Sequence, residues 1–263
     1  MALAELDWTT LASPVISAGS MTLFLLLGAV FPRVQPAVNW KDTGINVVSG
    51  GALFLLRVAL ISLIVANLGE QGWVQLAFLA DRPVLSGVLA FLLVDLTRYW
   101  VHRAHHRVPI LWRFHRTHHS SEHINATSGL RMHVVDMVQL TLIPVLLFRV
   151  IFDFHLQPGG LQAVLLIGVA MDGFQHANLR FPLSSGINRA WNAVFNNPGF
   201  HAWHHIRDGH LCDGNYGQAL TIWDRIFGSD VTQDAPPELY GLDGHNALEN
   251  SLLGLHLLRS REP

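Results

Sequence analysis

A chain of 263 residues is long enough for one domain or one compact bundle; half of it is apolar and only 14% is charged. Soluble domains carry about 25% charged residues, so this balance, with a mean hydropathy of +0.32, points to lipid as part of the solvent. The net charge of −2 gives no electrostatic case for nucleic acid, and a single cysteine, Cys212, excludes an internal disulfide, a cysteine-ligated iron–sulfur cluster and a four-cysteine zinc site.

In chain order, five apolar stretches approach the roughly 20 residues that span hydrocarbon. They are 11–31, 45–68, 83–100, 134–152 and 161–174. The second carries Arg57 near its middle, and the fifth runs into Asp172 and His176. The expectation is an all-α, integral-membrane helical bundle of four or five spans, a single membrane domain over 1–263. Its N-terminal spans lie within 11–82, its catalytic region over 83–229 and its tail over 230–263. Residues 1–10 hold Glu5 and Asp7 but no Lys or Arg, unlike the positive start of a secretory leader.

Basic residues in short loops face the cytoplasm. Arg33 and Lys41 follow the first stretch, Arg98, Arg103, Arg107, Arg113 and Arg116 lie at or just past the end of the third, and Arg180, Arg189 and Arg207 follow the fifth. The intervening loops, 69–82 and 153–160, hold only Arg82. Five spans with the N-terminus outside put every basic segment on the cytoplasmic face, as expected of a multi-pass protein of a bacterial inner membrane. The tail holds a turn-rich stretch, 232–244, and a short apolar run, 247–258, expected to be a packing helix.

Histidine is the outlier. Of 16, eight lie between His102 and His133. His102 and His106 are four apart, so on a helix their rings share a face. His115, His118 and His119 lie across one turn, and His201, His204 and His205 repeat that spacing. These groups follow the cytoplasmic ends of spans, so residues far apart in sequence can meet in a helical cap. Neutral imidazole is the commonest side-chain ligand for transition metals and suits iron, copper, zinc and nickel. A lone histidine there reads as a satisfied polar residue at the headgroup boundary. Three clusters at ligand spacing have no such role to offset their desolvation.

Eight imidazoles exceed the four ligands of one zinc, whereas two metals with about four each fit the count. The Glu-x-x-His pairs of soluble di-iron bundles and the His-Glu-x-x-His of zinc proteases do not occur in the sequence. An all-histidine dimetal centre remains. Asp95, two helical turns before His102, is placed to accept a ring N–H and fix its tautomer. Asp172, four before His176, either orients an imidazole or holds a bridging water, or is a helix-end carboxylate in solvent. Trp100, Trp112, Trp203 and Trp223 read as an interfacial aromatic belt.

These residues resemble the membrane fatty acid hydroxylase/sterol desaturase superfamily, in which three histidine boxes bind a non-haem di-iron centre. Asp95-Leu96-Thr97-Arg98-Tyr99-Trp100-Val101-His102-Arg103 resembles the family's approach to box one. Box two continues as His118-His119-Ser120, with Asn125 and Arg131-Met132-His133 following. Asp172-Gly173-Phe174-Gln175-His176-Ala177-Asn178 resembles the lone-histidine segment before box three. Asn215-Tyr216-Gly217 and Trp223-Asp224-Arg225-Ile226-Phe227-Gly228 resemble the closing signature. The resemblance runs over about residues 84–229. The short step from His106 to His115 resembles the hydroxylase branch, favouring sterol-desaturase-type and alkylglycerol- or fatty-acid-hydroxylase-type members.

The resemblance implies that His102, His106, His115, His118, His119, His201, His204 and His205 bind two iron ions, with His176 as a ninth ligand. His105 stands where the family has an apolar residue and is read as lying behind the ligands or exposed. His123 and His210 read as surface residues. His133 stays open, because Val134 stands where a proline is common.

The implied chemistry is O2-dependent oxidation of an unactivated C–H bond in a sterol, fatty acyl or other lipid, with O2 as co-substrate and the protein positioning the chain. Hydroxylation and desaturation are both open. A Gly-x-Gly-x-x-Gly motif and a cysteine set are missing, so electrons are expected from a separate ferredoxin or b5-type cytochrome with its reductase. The competing expectation is a histidine-ligated zinc membrane hydrolase or a non-redox metal protein, needing neither O2 nor reductant. A haem protein would pair histidines on facing spans. A transporter would want carboxylates or histidines within the spans, whereas Asp95, Asp136 and Asp172 lie near span ends.

Overall fold

A computed structural model describes residues 8–67, 72–156, 160–180, 185–207, 212–231, 237 and 239–242, and it is mostly helical. His210, the apolar run 247–258 and most of 232–244 lie outside the described residues. Five helices coincide with the five apolar stretches: α1 (Trp8–Val30), α2 (Trp40–Asn67), α3 (Pro83–Arg107), α5 (Val134–Leu146) and α6 (Gly160–Gln175). Among the described residues one helix, α3 with its 25 residues, is long and apolar enough to cross a membrane. Ala18–Val30 and Val134–Pro144 are shorter apolar helices. Pro144 lies inside α5, where it removes a backbone donor, and the helix passes into a π turn at Leu147–Ile151.

The all-helical expectation is corrected at one point. β1 (Val74–Gln75) pairs in parallel with β2 (Phe152–Asp153), Val74 opposite Phe152 and Gln75 opposite Asp153. The pairing ties the loop before α3 to the chain leaving α5. Beside it Leu79, Ala90, Val94, Phe154 and Val164 form a small apolar core. A second, smaller apolar cluster joins Ile124, Ala202 and Tyr240, and much of the remaining interior is polar. Asp42, Asn46, Asp95, Arg98 and Arg131 are buried, while Leu23, Leu26, Leu55, Leu63, Val84 and Val88 of α1, α2 and α3 face outward. That is the reverse of a soluble domain, in which large apolar side chains go inside.

The end of α3 carries box one, and short helices carry boxes two and three. α3 ends at Arg107, Val108 is extended, and Pro109 opens α4 (Pro109–His119), the first helical position suiting a residue without an N–H. α8 (Pro198–His204) starts the same way, with Pro198 after Asn197, whose side chain accepts from the N–H groups of Gly199 (2.9 Å) and Phe200 (3.0 Å). Two further short helices, α7 (Gly186–Asn192) and α9 (Ile222–Ile226), flank this region.

The closing segment is held by its own side chains. Asn215 sits at φ 55, a region that asparagine tolerates better than most residues. Its amide donates to the carbonyls of Phe200 (2.9 Å) and Val231 (2.8 Å) and accepts from Val231 N–H (2.7 Å). Asp224 accepts from the N–H groups of Tyr216 (2.7 Å) and Gly217 (2.8 Å) and from Ser229 Oγ (2.8 Å). Burial pushes the Asp224 carboxyl up to about 6 against these donors.

Candidate metal centre

Nine imidazoles converge at the end of α3 in two groups. His102, His106, His115, His119 and His204 bring five ring nitrogens within 4.8 Å of one another, and His118, His176, His201 and His205 do the same with four. The partition follows helical geometry. Residues four apart share a face, while a neighbour one position away is turned about 100°. On α4 the i,i+4 pair His115 and His119 joins the group of five and His118 turns to the group of four. α8 and its capping residue His205 do the converse, sending His201 and His205 to the group of four and His204 to the group of five. The groups abut, with His119 stacked on His205 at a ring separation of 4.5 Å.

Backbone carbonyls set the ring orientations. Nδ1–H of His102 is donated to Tyr216 O (2.9 Å), of His118 to Arg131 O (3.1 Å), of His176 to Asp172 O (2.7 Å) and of His204 to Gly214 O (2.8 Å). A neutral ring that donates from Nδ1 keeps its lone pair on Nε2. Yet Nε2 of His176 lies 3.2 Å from Nε2 of His118, two acceptors with no proton to share. Nε2 of His176 is also 3.0 Å from that of His201 and 3.2 Å from that of His205. In the group of five, Nε2 of His102, His115 and His204 has no hydrogen-bond partner among the described residues, and those of His106 and His119 are 3.1 Å apart. Metal–imidazole bonds of about 2.0–2.1 Å place neighbouring donors about 2.8–3.4 Å apart in an octahedral or tetrahedral shell. The donor set fits a metal ion in each group, and a hydrogen-bond network does not account for it.

Burial also keeps protons off these rings. It drives His115, His119, His201, His204 and His205 well below 6.5, His118 to about 3 and His176 to about 4. At neutral pH the lone pairs are therefore open to a metal.

The remaining candidates fall differently. Asp172 stays beside His176, its carboxylate 3.5 Å from the ring Nδ1 and resting on Gly129, where any side chain would overlap it. Asp95 is corrected. It accepts no ring proton; it takes the N–H groups of Ala219 (2.9 Å) and Leu220 (3.1 Å) and Nε1–H of Trp223 (2.9 Å). The segment from Tyr216 to Leu220 runs along this face of α3, so His102 and Asp95, two turns apart, both bind its backbone. Asp95→Asn replaces one accepting oxygen by a donor and is expected to cost about 1–3 kcal/mol. Thermal unfolding in detergent reads this, with metal content retained; metal loss without destabilisation would restore the ring-orienting role.

His105 is buried, not exposed, and its Nε2 bonds Gln139 Oε1 at 2.6 Å behind the group of five. His133 accepts from Val135 N–H (3.1 Å) as the cap of α5 and belongs to neither group; nor does half-buried His123. Trp223 leaves the expected aromatic belt for Asp95, and Trp112 packs its ring 5.0 Å from His106. Two carboxylates went unassigned in the sequence. Asp136 Oδ2 lies 3.3 Å from His115 Nδ1, and Asp213 Oδ1 lies 3.6 Å from His106 Nδ1. No local spacing ties either to its histidine.

A sequence profile described as fatty acid hydroxylase matches residues 87–229, more than half of the chain and every clustered histidine. The chain belongs to the fatty acid hydroxylase family. Among curated proteins it is similar to an alkylglycerol monooxygenase of Xenopus tropicalis, 34% identical over 154 residues that cover 59% of this chain and 32% of that protein. It is also similar to an ornithine lipid hydroxylase of Rhizobium tropici, 30% identical over 184 residues covering 68% and 50% of the two chains. A lathosterol oxidase of Rattus norvegicus is 28% identical over 181 residues, covering 68% and 54%. The matched part of the chain thus spans about a third to a half of the length of these relatives. No solved structure matches.

Proposed function

We propose that the chain is a membrane-embedded, O2-dependent lipid oxidoreductase holding two iron ions, one in each imidazole group. The observation that carries this reading is the convergence of nine imidazoles whose lone pairs point inward. Bound iron of this kind supplies O2-dependent oxidation of an unactivated C–H bond. The chain's own residues prepare the site: the carbonyls of Tyr216, Gly214, Arg131 and Asp172 each hold one ring in the donating tautomer. The outward apolar faces of α1, α2 and α3 suit hydrocarbon, from which a lipid chain reaches the centre.

The monooxygenase, hydroxylase and oxidase relatives favour a lipid substrate, hydroxylated or desaturated. Five spans with the N-terminus outside put the centre on the cytoplasmic face of a bacterial inner membrane. There a ferredoxin or a b5-type cytochrome with its reductase supplies electrons, since one cysteine leaves no iron–sulfur cluster within these residues. A zinc hydrolase or a non-redox metal protein is the second reading; the group of four has the ligand count of a closed zinc shell, and a hydrolase would need one of its imidazoles to give way to water.

The test quantifies iron, zinc and copper together in protein purified in detergent. Wild type is expected to hold about two irons per chain and His118→Ala, short of one of four donors, about one. Loaded protein given O2, a reductant and a panel of lipids then yields oxidised lipid. Wild type without stoichiometric metal, or a content unchanged in His118→Ala, overturns the reading. Zinc that iron does not replace, with turnover independent of O2, selects the hydrolase.

A further inference from the structure

The two groups differ in what stands behind their rings. In the group of four, His118 and His176 give their Nδ1–H to neutral carbonyls at 3.1 and 2.7 Å. The Asp172 carboxylate also approaches His176 Nδ1, at 3.5 Å, but the carbonyl is the nearer acceptor and the carboxylate is itself bound by Gln175 at 3.2 Å. In the group of five, His115 departs from this pattern. Its Nδ1 faces Oδ2 of Asp136 at 3.3 Å, and both side chains are buried. The other oxygen of Asp136 lies 4.0 Å from Nε2 of His105, which is bound in turn by Gln139. Asp136 and Gln139 are three apart on α5 and so share a face. One helix thus presents a buried carboxylate and a half-buried amide to the backs of rings from boxes one and two.

A carboxylate that accepts the ring N–H fixes the imidazole and makes it a stronger donor, an effect worth about 10–100-fold in metal affinity. We propose that Asp136 is a positioning residue for the metal of the five-imidazole group: by accepting the ring N–H of His115 it makes that position the tighter and electronically distinct one of the pair. This rests on the two-metal reading above.

The test follows metal release from the full chain in detergent, loaded with cobalt(II), whose visible bands differ between four- and five-nitrogen coordination. A chelator is expected to strip wild type in two phases, the four-imidazole position first. His118→Ala should abolish the fast phase and keep the slow one, which assigns them. Asp136→Asn keeps the shape and an accepting oxygen but loses the charge; it should speed the slow phase about 10–100-fold and leave the fast phase alone. Asp136→Glu, which keeps the charge, should return the slow phase and its bands towards wild type.

Slow release unchanged in folded Asp136→Asn overturns the proposal, as does equal acceleration of both phases. The order of release in wild type tests it even where Asp136→Asn does not fold, because a slow phase that vanishes in His118→Ala places the tighter site in the wrong group. Wild type that takes up no more than one cobalt per chain defeats the two-metal reading itself, a result distinct from two sites of equal strength.

Discussion

Replacing Arg131 by methionine should cost about 3–5 kcal/mol of stability, the range for breaking a buried, hydrogen-bonded ion pair from one side. The guanidinium is fully buried. It donates from Nη2 to Asp42 Oδ1 (2.9 Å), from Nε to Asn46 Oδ1 (2.8 Å) and from Nη1 to Ser120 Oγ (3.2 Å). One planar fork thereby ties α2 to the end of α4. Methionine fills much of the volume, so the loss reports the stranded Asp42 carboxylate more than a cavity.

Removing both charges, in Arg131→Met with Asp42→Leu, should recover most of that loss. Unfolding of the single and double variants in detergent is the measurement; a double variant as unstable as the sum of the singles would mean that the two residues act independently. The change reaches the metal centre as well. The Arg131 carbonyl takes the ring proton of His118, so a displaced Arg131 segment frees that ring and weakens the group of four before the group of five.

This network marks the boundary of what the sequence discloses. The five principal helices and the three boxes are readable because their signals are local: apolar runs of span length, and histidines three or four apart. The split of boxes two and three between the groups is helical geometry too, legible once it is known that α4 and α8 face each other across the pair. What brings Arg131 to Asp42, 89 positions away, or Asp136 to His115, 21 positions away, is packing between elements, which no spacing encodes. Asp95 shows the same limit from the other side. Its helical phase relative to His102 follows from the spacing, but the occupant of that face is the backbone from Tyr216 to Leu220, contributed from far along the chain. His105 resembled a surplus histidine because its partner, Gln139, is a polar residue within an apolar stretch.

Acid should unfold the metal-depleted protein far above the pH at which carboxylates usually titrate. Seven clustered imidazoles beyond α3 have their pKa lowered by burial: His115, His118, His119, His176, His201, His204 and His205. In the unfolded chain each titrates near 6.5. Below that value the unfolded state takes up protons that the folded state refuses, down to about 3 for His118 and about 4 for His176. The stabilisation from their neutral forms is complete above pH 6.5 and lost as pH falls. Each contributes about 1.4 kcal/mol per pH unit, so seven together approach 10 kcal/mol per unit, comparable to the 5–15 kcal/mol that holds a typical domain.

Asp224 works in the opposite direction. Its carboxyl, raised to about 6, is protonated in the folded state before the unfolded one, which favours folding as pH drops from 6 towards 4. Among the groups outside the apolar helices, one against seven does not reverse the sign. Thermal unfolding in detergent at pH 7.5, 6.5 and 5.5 should show a small change across the first step and a steep loss across the second. Bound metal requires the same neutral rings, so loading should carry the acid transition to lower pH, and His118→Ala should withdraw part of that protection. A melting temperature flat from pH 7.5 to 5.5 in the metal-depleted protein would mean that the rings take up protons in the folded state, which two closely packed groups of imidazoles cannot do without opening.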